Sequence, residues 1–114
     1  MIPELREVSA LPANWDGDGS PAPSPAIVSA ADALLNHLLD FDAPFVVPVS
    51  GGGLQLEWSV GGKHLELAFI DSETVIFLTE TPPTPYSWSV MHTGHYSTGD
   101  HVKTQELLDW LRKD

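Results

Sequence analysis

The chain has 114 residues, and its 16 Asp and Glu against 5 Lys and Arg give a formal net charge of −11. An acidic surface of this kind repels phosphate backbones and anionic membranes, so we expect no direct nucleic-acid binding and no membrane binding. The chain contains no cysteine, which excludes disulfides and cysteine-ligated metals.

Length favours a single domain over residues 1–114. The first residues do not show the basic and then apolar pattern of a signal peptide. No run approaches the roughly 18 apolar residues that a membrane span needs. We therefore expect a cytoplasmic protein.

The first forty residues predict two helical segments that are joined by a loop. Leu5, Val8 and Leu11 have the spacing of a short helical turn, and residues 14–23 are rich in Gly, Pro and Asp, which favour turns. Ser24 and Pro25 form an N-cap followed by a first-turn proline. An apolar stripe with helical spacing follows and predicts a helix from Pro25 to Leu39. Its members are Ile27, Ala31, Leu34 and Leu38, widened by Leu35 and Leu39.

The segment from Leu54 to Ile70 predicts a β-hairpin around Gly61-Gly62. In this register, apolar residues face apolar residues on one side of the hairpin. The pairs are Trp58 with Leu65, Leu56 with Leu67, and Leu54 with Phe69. A slip by one residue would move every one of these side chains to the other face, so the register is well specified.

The remaining strands are shorter. Phe45–Val47 predicts a strand that is interrupted at Pro48, which suggests an edge strand or an irregular strand, and Thr74–Glu80 predicts a third strand of the meander. Tyr86–Val90 alternates with serine and predicts a further strand, while residues 92–99 are expected to form a loop. Asp100 or Thr104 is expected to cap a final helix with an apolar stripe at Leu107, Leu108 and Leu111.

This order of elements predicts a two-layer α+β fold. We expect an antiparallel meander of three to five strands, because consecutive strands are joined by tight turns. The sheet is expected to pack against one helix from the N-terminal half and one at the C-terminus.

The polar face of the hairpin is the main candidate for a binding surface. It carries Gln55, Glu57, His64 and Glu66, and the register places Glu57 opposite Glu66. Directly opposed like charges destabilise a sheet, so a bound cation or a basic partner would reduce the repulsion between the two glutamates. Screening by water is the simpler alternative. Two further carboxylates, Asp16 and Asp18, lie in the acidic loop and are included in this hypothesis.

Two metal sites are conceivable. The loop Asn14-Trp-Asp16-Gly-Asp18-Gly19 matches the first half of a calcium-binding EF-hand loop, but Pro25 stands where that loop needs its final glutamate. A structural turn held by Asn and Asp side chains is the alternative. His92, His95 and His101, with Asp100, would supply enough ligands for zinc, although they do not share one helix face.

The run Leu11-Pro-Ala-Asn14-Trp15-Asp16-Gly17, together with Gly52-Gly53-Leu54-Gln55-Leu56-Glu57-Trp58 and Leu65-Glu66-Leu67, resembles a loose family of small uncharacterised bacterial proteins. These proteins have an N-W-D-G-x-G loop, a helix and a G-G-x-x-L-E-W strand. The resemblance spans roughly residues 11–80. It implies a shared fold and no assigned activity.

No catalytic motif is present in the sequence, so we expect a non-enzymatic interaction protein without a cofactor. The partner is expected to be a protein with a basic surface, and the chain would act as an inhibitor, an antitoxin-like or immunity protein, or a phage-related accessory. Mimicry of nucleic-acid charge is one variant. The rival hypothesis is a metal-binding module or metal-dependent enzyme that uses His92, His95 and His101. The oligomeric state is left open.

Overall fold

A computed structural model describes residues 1–38 and 40–113 as five strands and three helices. The chain order is α1 (Pro3–Ser9), α2 (Pro25–Asn36), β1 (Phe45–Val49), β2 (Gly53–Val60), β3 (Lys63–Phe69), β4 (Thr74–Glu80), β5 (Met91–Ser97) and α3 (His101–Arg112). The strands form one antiparallel meander in the order β1-β2-β3-β4-β5. The α+β class and the antiparallel meander are confirmed.

The β2–β3 hairpin has the predicted register. Trp58 pairs with Leu65, Leu56 with Leu67 and Leu54 with Phe69. These side chains are buried together with apolar residues of all three helices, so the helices occupy one side of the sheet. We call this side the inner face. Burial of so many large apolar side chains at about 2 kcal/mol each is the main stabilising contribution of the fold.

The helix ends follow from local chemistry. Pro25 begins α2 at the first-turn position, and the backbone N–H of His37 closes its last turn at Asn36. The predicted end at Leu39 lies outside the described residues. In α3, Asp100 is the N-cap, and its carboxylate accepts a hydrogen bond from the backbone N–H of Lys103 at 3.0 Å.

Two expectations for the region after β4 were wrong. Tyr86–Val90 is not a strand, and the expected loop over residues 92–99 is largely the strand β5. Thr84 and Ser87 pair in a tight turn that takes up the start of the segment Tyr86–Val90. The prolines just before this segment interrupt the hydrogen-bond ladder. In β5, the ring of Phe77 lies over Gly94 and fills the space that a side chain would occupy at this position. The glycine therefore leaves no cavity in the sheet.

The two edges of the sheet differ. The β1 edge carries Pro48, as the sequence predicted, and α1 contacts this strand. The β5 edge has no proline and no charged side chain. Among residues 1–38 and 40–113, no helix combines the length and the apolar character required to cross a bilayer.

Candidate functional site: the outer face of the sheet

The side of the sheet opposite the helices, here called the outer face, is formed by every second residue of each strand. Its members are Phe45, Val47, Gln55, Glu57, Ser59, His64, Glu66, Ala68, Ile76, Leu78, Glu80, Met91, Thr93 and His95. This face contains all four residues that the sequence proposed on the polar side of the hairpin. It is a mixed surface, because apolar residues of β1 and β4 flank the glutamates.

The centre of the outer face is a cluster of Glu57, His64 and Glu66. Glu57 pairs directly with Glu66 across β2 and β3, as predicted. The Nε2 atom of His64 lies 2.9 Å from Oε1 of Glu66 and 3.9 Å from Oε1 of Glu57. The Nδ1 atom is 2.9 Å from Oγ of Ser59, which orients the ring. The imidazole therefore stands between two carboxylates that would otherwise repel each other.

Glu80 extends this negative region. It pairs with His64 on β3 and with Met91 on β5. The outer face thus carries three glutamates on three adjacent strands. The other described carboxylates belong to helices and loops.

All lysines and arginines are found on the helical side of the molecule. Arg6 and Lys103 belong to α1 and α3, and Lys113 follows α3. Lys63 donates from Nζ to the carbonyl of Trp110 at 2.9 Å, and Arg112 contacts the carboxylate of Asp109 at 3.2 Å. The outer face therefore presents glutamates without any lysine or arginine beside them.

Apolar side chains surround the glutamates. Phe45, next to Glu57, is 78% exposed, and Met91, next to Glu80, is 59% exposed. Ile76 and Leu78 lie on β4 between these edges and are partly exposed. Exposed apolar side chains with polar residues beside them are typical of an interaction surface.

The acidic loop with Asp16 and Asp18 does not belong to the outer face of the sheet. The carboxylate of Asp16 accepts hydrogen bonds from the backbone N–H of Asp18 at 2.9 Å and of Ser20 at 3.3 Å, and from the Ser20 hydroxyl. The Ser20 hydroxyl bond, followed by the backbone bonds, lowers the pKa of Asp16 below its ordinary value. Asn14 accepts from the backbone N–H of Gly19 at 2.7 Å. Two of the three side chains that would bind calcium, those of Asn14 and Asp16, thus accept hydrogen bonds from the loop's own donors.

This loop is attached at the β1–β2 turn, where the backbone N–H of Ser24 donates to the carbonyl of Gly52. Five residues of extended strand, about 17 Å, separate Gly52 from Glu57. Asp16 and Asp18 therefore do not join the glutamate cluster.

The three histidines of the zinc hypothesis are not brought together. His92 and His95 are three residues apart on β5, so they lie on opposite faces of the sheet. His101 begins α3, and its ring stacks on His37 with a centroid distance of 3.9 Å. Within the described part of the chain, the cluster of three metal-binding side chains with ligand atoms within 4.8 Å of one another is Glu57, His64 and Glu66.

A second exposed feature was missed at the sequence level. The segment Thr81–Val90, here called the arm, continues from β4 to β5, and its base is held by the bond from the backbone N–H of Thr81 to the carbonyl of Val90 at 2.9 Å. Tyr86 and Trp88 on the arm are 97% and 89% exposed. The signal that could have revealed it is the absence of Asp, Glu, Lys and Arg from residue 81 to residue 99.

Comparison with known proteins gives no relative. No family model matches the chain, and no curated protein and no solved structure shows significant similarity to it. The function is therefore argued from the geometry of the outer face.

Proposed function

We propose that this protein is a non-enzymatic interaction module whose outer face binds a basic surface of another protein. The observation that carries the proposal is that the outer face has glutamates and no lysine or arginine. Glu57, Glu66 and Glu80 lie on the outer face, while every lysine and arginine lies on the helical side. Complementary charge steers association and selects partners.

The Glu57–Glu66 pair gives the partner a specific point of attachment. Two opposed carboxylates on neighbouring strands destabilise the free protein by a few tenths to about 1 kcal/mol. His64 already contacts one oxygen of each carboxylate, and a lysine or arginine of the partner that binds the remaining oxygens removes the rest of this repulsion. Arginine suits the position best, because its planar guanidinium can bond two carboxylates at once.

The exposed apolar side chains supply the rest of the contact. Phe45 and Met91 lie at opposite edges of the outer face beside Glu57 and Glu80, and Leu78 pairs with Glu66. Burial of apolar groups around a charged anchor excludes water and strengthens the electrostatic contact. Roles as an inhibitor, an antitoxin-like protein, an immunity protein or a phage accessory all use this kind of surface.

The test is a comparison of two double variants in affinity capture from a cell extract. The Glu57→Gln/Glu66→Gln variant removes the charge of the cluster without changing its shape. The Glu7→Gln/Glu106→Gln variant removes the same charge from α1 and α3. A basic protein should be retained by the wild type and the helical variant and lost by the outer-face variant.

The captured protein is then purified, and its binding to each variant is measured by calorimetry. The outer-face variant should bind at least tenfold more weakly. Equal affinity of the two double variants would refute the proposal, and so would a captured partner with an acidic surface. Melting temperatures of all variants serve as the folding control.

Cation binding is the second candidate, and it is favoured by the ligand spacing of Glu57, His64 and Glu66. Two carboxylate oxygens and one imidazole nitrogen form an acceptable open zinc site. If this function is correct, zinc should raise the melting temperature of the wild type but not of His64→Gln. An equal response of both proteins would exclude the site. The set His92, His95 and His101 receives no such support from its geometry.

A further inference from the structure

We propose that two copies of this chain associate through their β5 strands, pairing antiparallel about a two-fold axis at Gly94. The two five-stranded sheets would then form one continuous sheet. The inference concerns the free edge and the arm, and it does not depend on the proposed binding of a basic partner by the outer face.

The first argument is the difference between the two edges. A free edge strand exposes unpaired N–H and C=O groups, and proteins protect such edges with proline, charged residues or covering elements. The β1 edge has Pro48 and is contacted by α1, whereas β5 has seven residues without proline, lysine, arginine, aspartate or glutamate. The unprotected edge is the one suited to pairing with another strand.

The second argument is charge. Residues 81–99 contain no Asp, Glu, Lys or Arg, although the whole chain has 21 such residues among 114. This uncharged segment comprises the arm and β5, and most of its residues are exposed. Two copies of net charge −11 repel each other, so the surface where they can approach most closely is the one without charge. Depletion of charged residues is also typical of interface cores.

The third argument is that β5 is complementary to itself. Antiparallel pairing about Gly94 brings His92 opposite Tyr96 in the second copy, and Thr93 opposite His95. Met91 then faces Ser97. The two-fold axis repeats each of these pairs, as an isologous interface requires. No pair in this register brings like charges of Asp, Glu, Lys or Arg together, because the strand contains none of these residues.

The arm adds contact area to this arrangement. The arm precedes Met91, and in this register Met91 lies opposite Ser97, after which the second copy turns into α3. Val102 in the first turn of α3 is 70% exposed. Exposed apolar side chains of the arm and of the first turn of α3 thus lie at the same end of the proposed interface, where their burial would add to the contact.

The register is tested by disulfide cross-linking, and the chain offers a clean background because it has no cysteine. Met91→Cys and Ser97→Cys are purified separately. Mixed under mild oxidation, they should form a heterodimeric disulfide, because opposed residues in antiparallel strands have Cβ atoms within disulfide range. Each variant alone should cross-link at least tenfold less. Equal cross-linking in the mixed and the separate samples would overturn the register.

The association itself is tested by sedimentation of the purified chain. The wild type should be a dimer, and Thr93→Lys/His95→Lys should weaken association at least tenfold, because it places four lysines near the axis. The matched control is Phe45→Lys/Val47→Lys, which makes the same change on the β1 edge and should remain dimeric. A monomeric wild type at all concentrations would overturn the proposal, and so would a dimer that is lost only with the β1 variant.

Discussion

At the scale of single residues, Gly53 determines how closely β2 and β3 approach. A Cβ at this position would lie 2.6 Å from the backbone carbonyl oxygen of Phe69, which cannot move without disturbing the hairpin. Gly53→Ala should therefore lower the free energy of unfolding by about 2 kcal/mol, the usual cost of overpacking.

Urea denaturation measures this loss. Gly99→Ala is the control, because the nearest atom to its Cβ would be Oγ of Ser97 at 3.8 Å. The control should change stability by less than about 0.5 kcal/mol. If both variants unfold at the same urea concentration as the wild type, the close approach at Gly53 has no energetic importance.

At the scale of elements, the contact between β5 and α3 depends on Tyr96. Its hydroxyl lies 2.7 Å from the hydroxyl of Thr104, which is fully buried. Burial raises the pKa of Tyr96 to about 12, against the opposing effect of the Thr104 hydrogen bond and with a further rise from the charge of Asp100. The folded protein therefore holds this proton more tightly than the unfolded chain, in which the pKa is about 10.

The sign of the pH dependence follows from this difference. The stabilisation is complete below about pH 10 and is lost as the pH rises towards 12, because the unfolded chain then gives up the proton first. Tyr96→Phe should be about 1 kcal/mol less stable than the wild type at pH 7, since Thr104 loses its partner. This deficit should shrink at pH 11. Urea denaturation at both pH values checks the prediction, and a constant deficit would contradict it.

The sequence predicted some of these elements better than others. The β2–β3 register and β4 were predictable because alternating Leu, Trp and Phe residues have one arrangement that buries them all. β5 was missed because its sequence, Met91–Ser97, holds a glycine and two histidines and has little apolar alternation. Its position is determined by tertiary contacts, including the Phe77 ring over Gly94.

The candidate site was predictable to the same extent as its strands. The pairing of Glu57 with Glu66 and the nearness of His64 follow from the hairpin register alone. The apolar flanks at Phe45 and Leu78 could not be placed, because they depend on how β1 and β4 align with the hairpin. The short spacing in sequence suggested that His92 and His95 lie together. They are three positions apart on a strand, however, and side chains at an odd spacing lie on opposite faces of the sheet.

At the scale of the whole molecule, net charge gives the two proposed interactions opposite responses to salt. Two copies of net charge −11 repel each other, so screening should strengthen their association. The same screening should weaken the binding of a basic partner. Raising NaCl from about 50 to about 500 mM, which shortens the Debye length from over 10 Å to about 4 Å, should shift the two dissociation constants in opposite directions.

Sedimentation of the chain alone and calorimetry with the captured partner measure the two constants separately. Weaker self-association at high salt would mean that opposite charges hold the copies together, which the uncharged sequence of residues 81–99 does not allow. Partner binding that is insensitive to salt would show that the apolar residues alone determine affinity.

The unequal edges of the sheet also limit how far assembly can proceed. A sheet with two open edges can add strands without end and grow into a filament. Here Pro48 interrupts the β1 edge and α1 contacts that strand, whereas the β5 edge has no proline and no Asp, Glu, Lys or Arg. Pairing through β5 consumes the open edge of both copies, so growth terminates at two. The same asymmetry protects the chain from fibrous aggregation at high concentration.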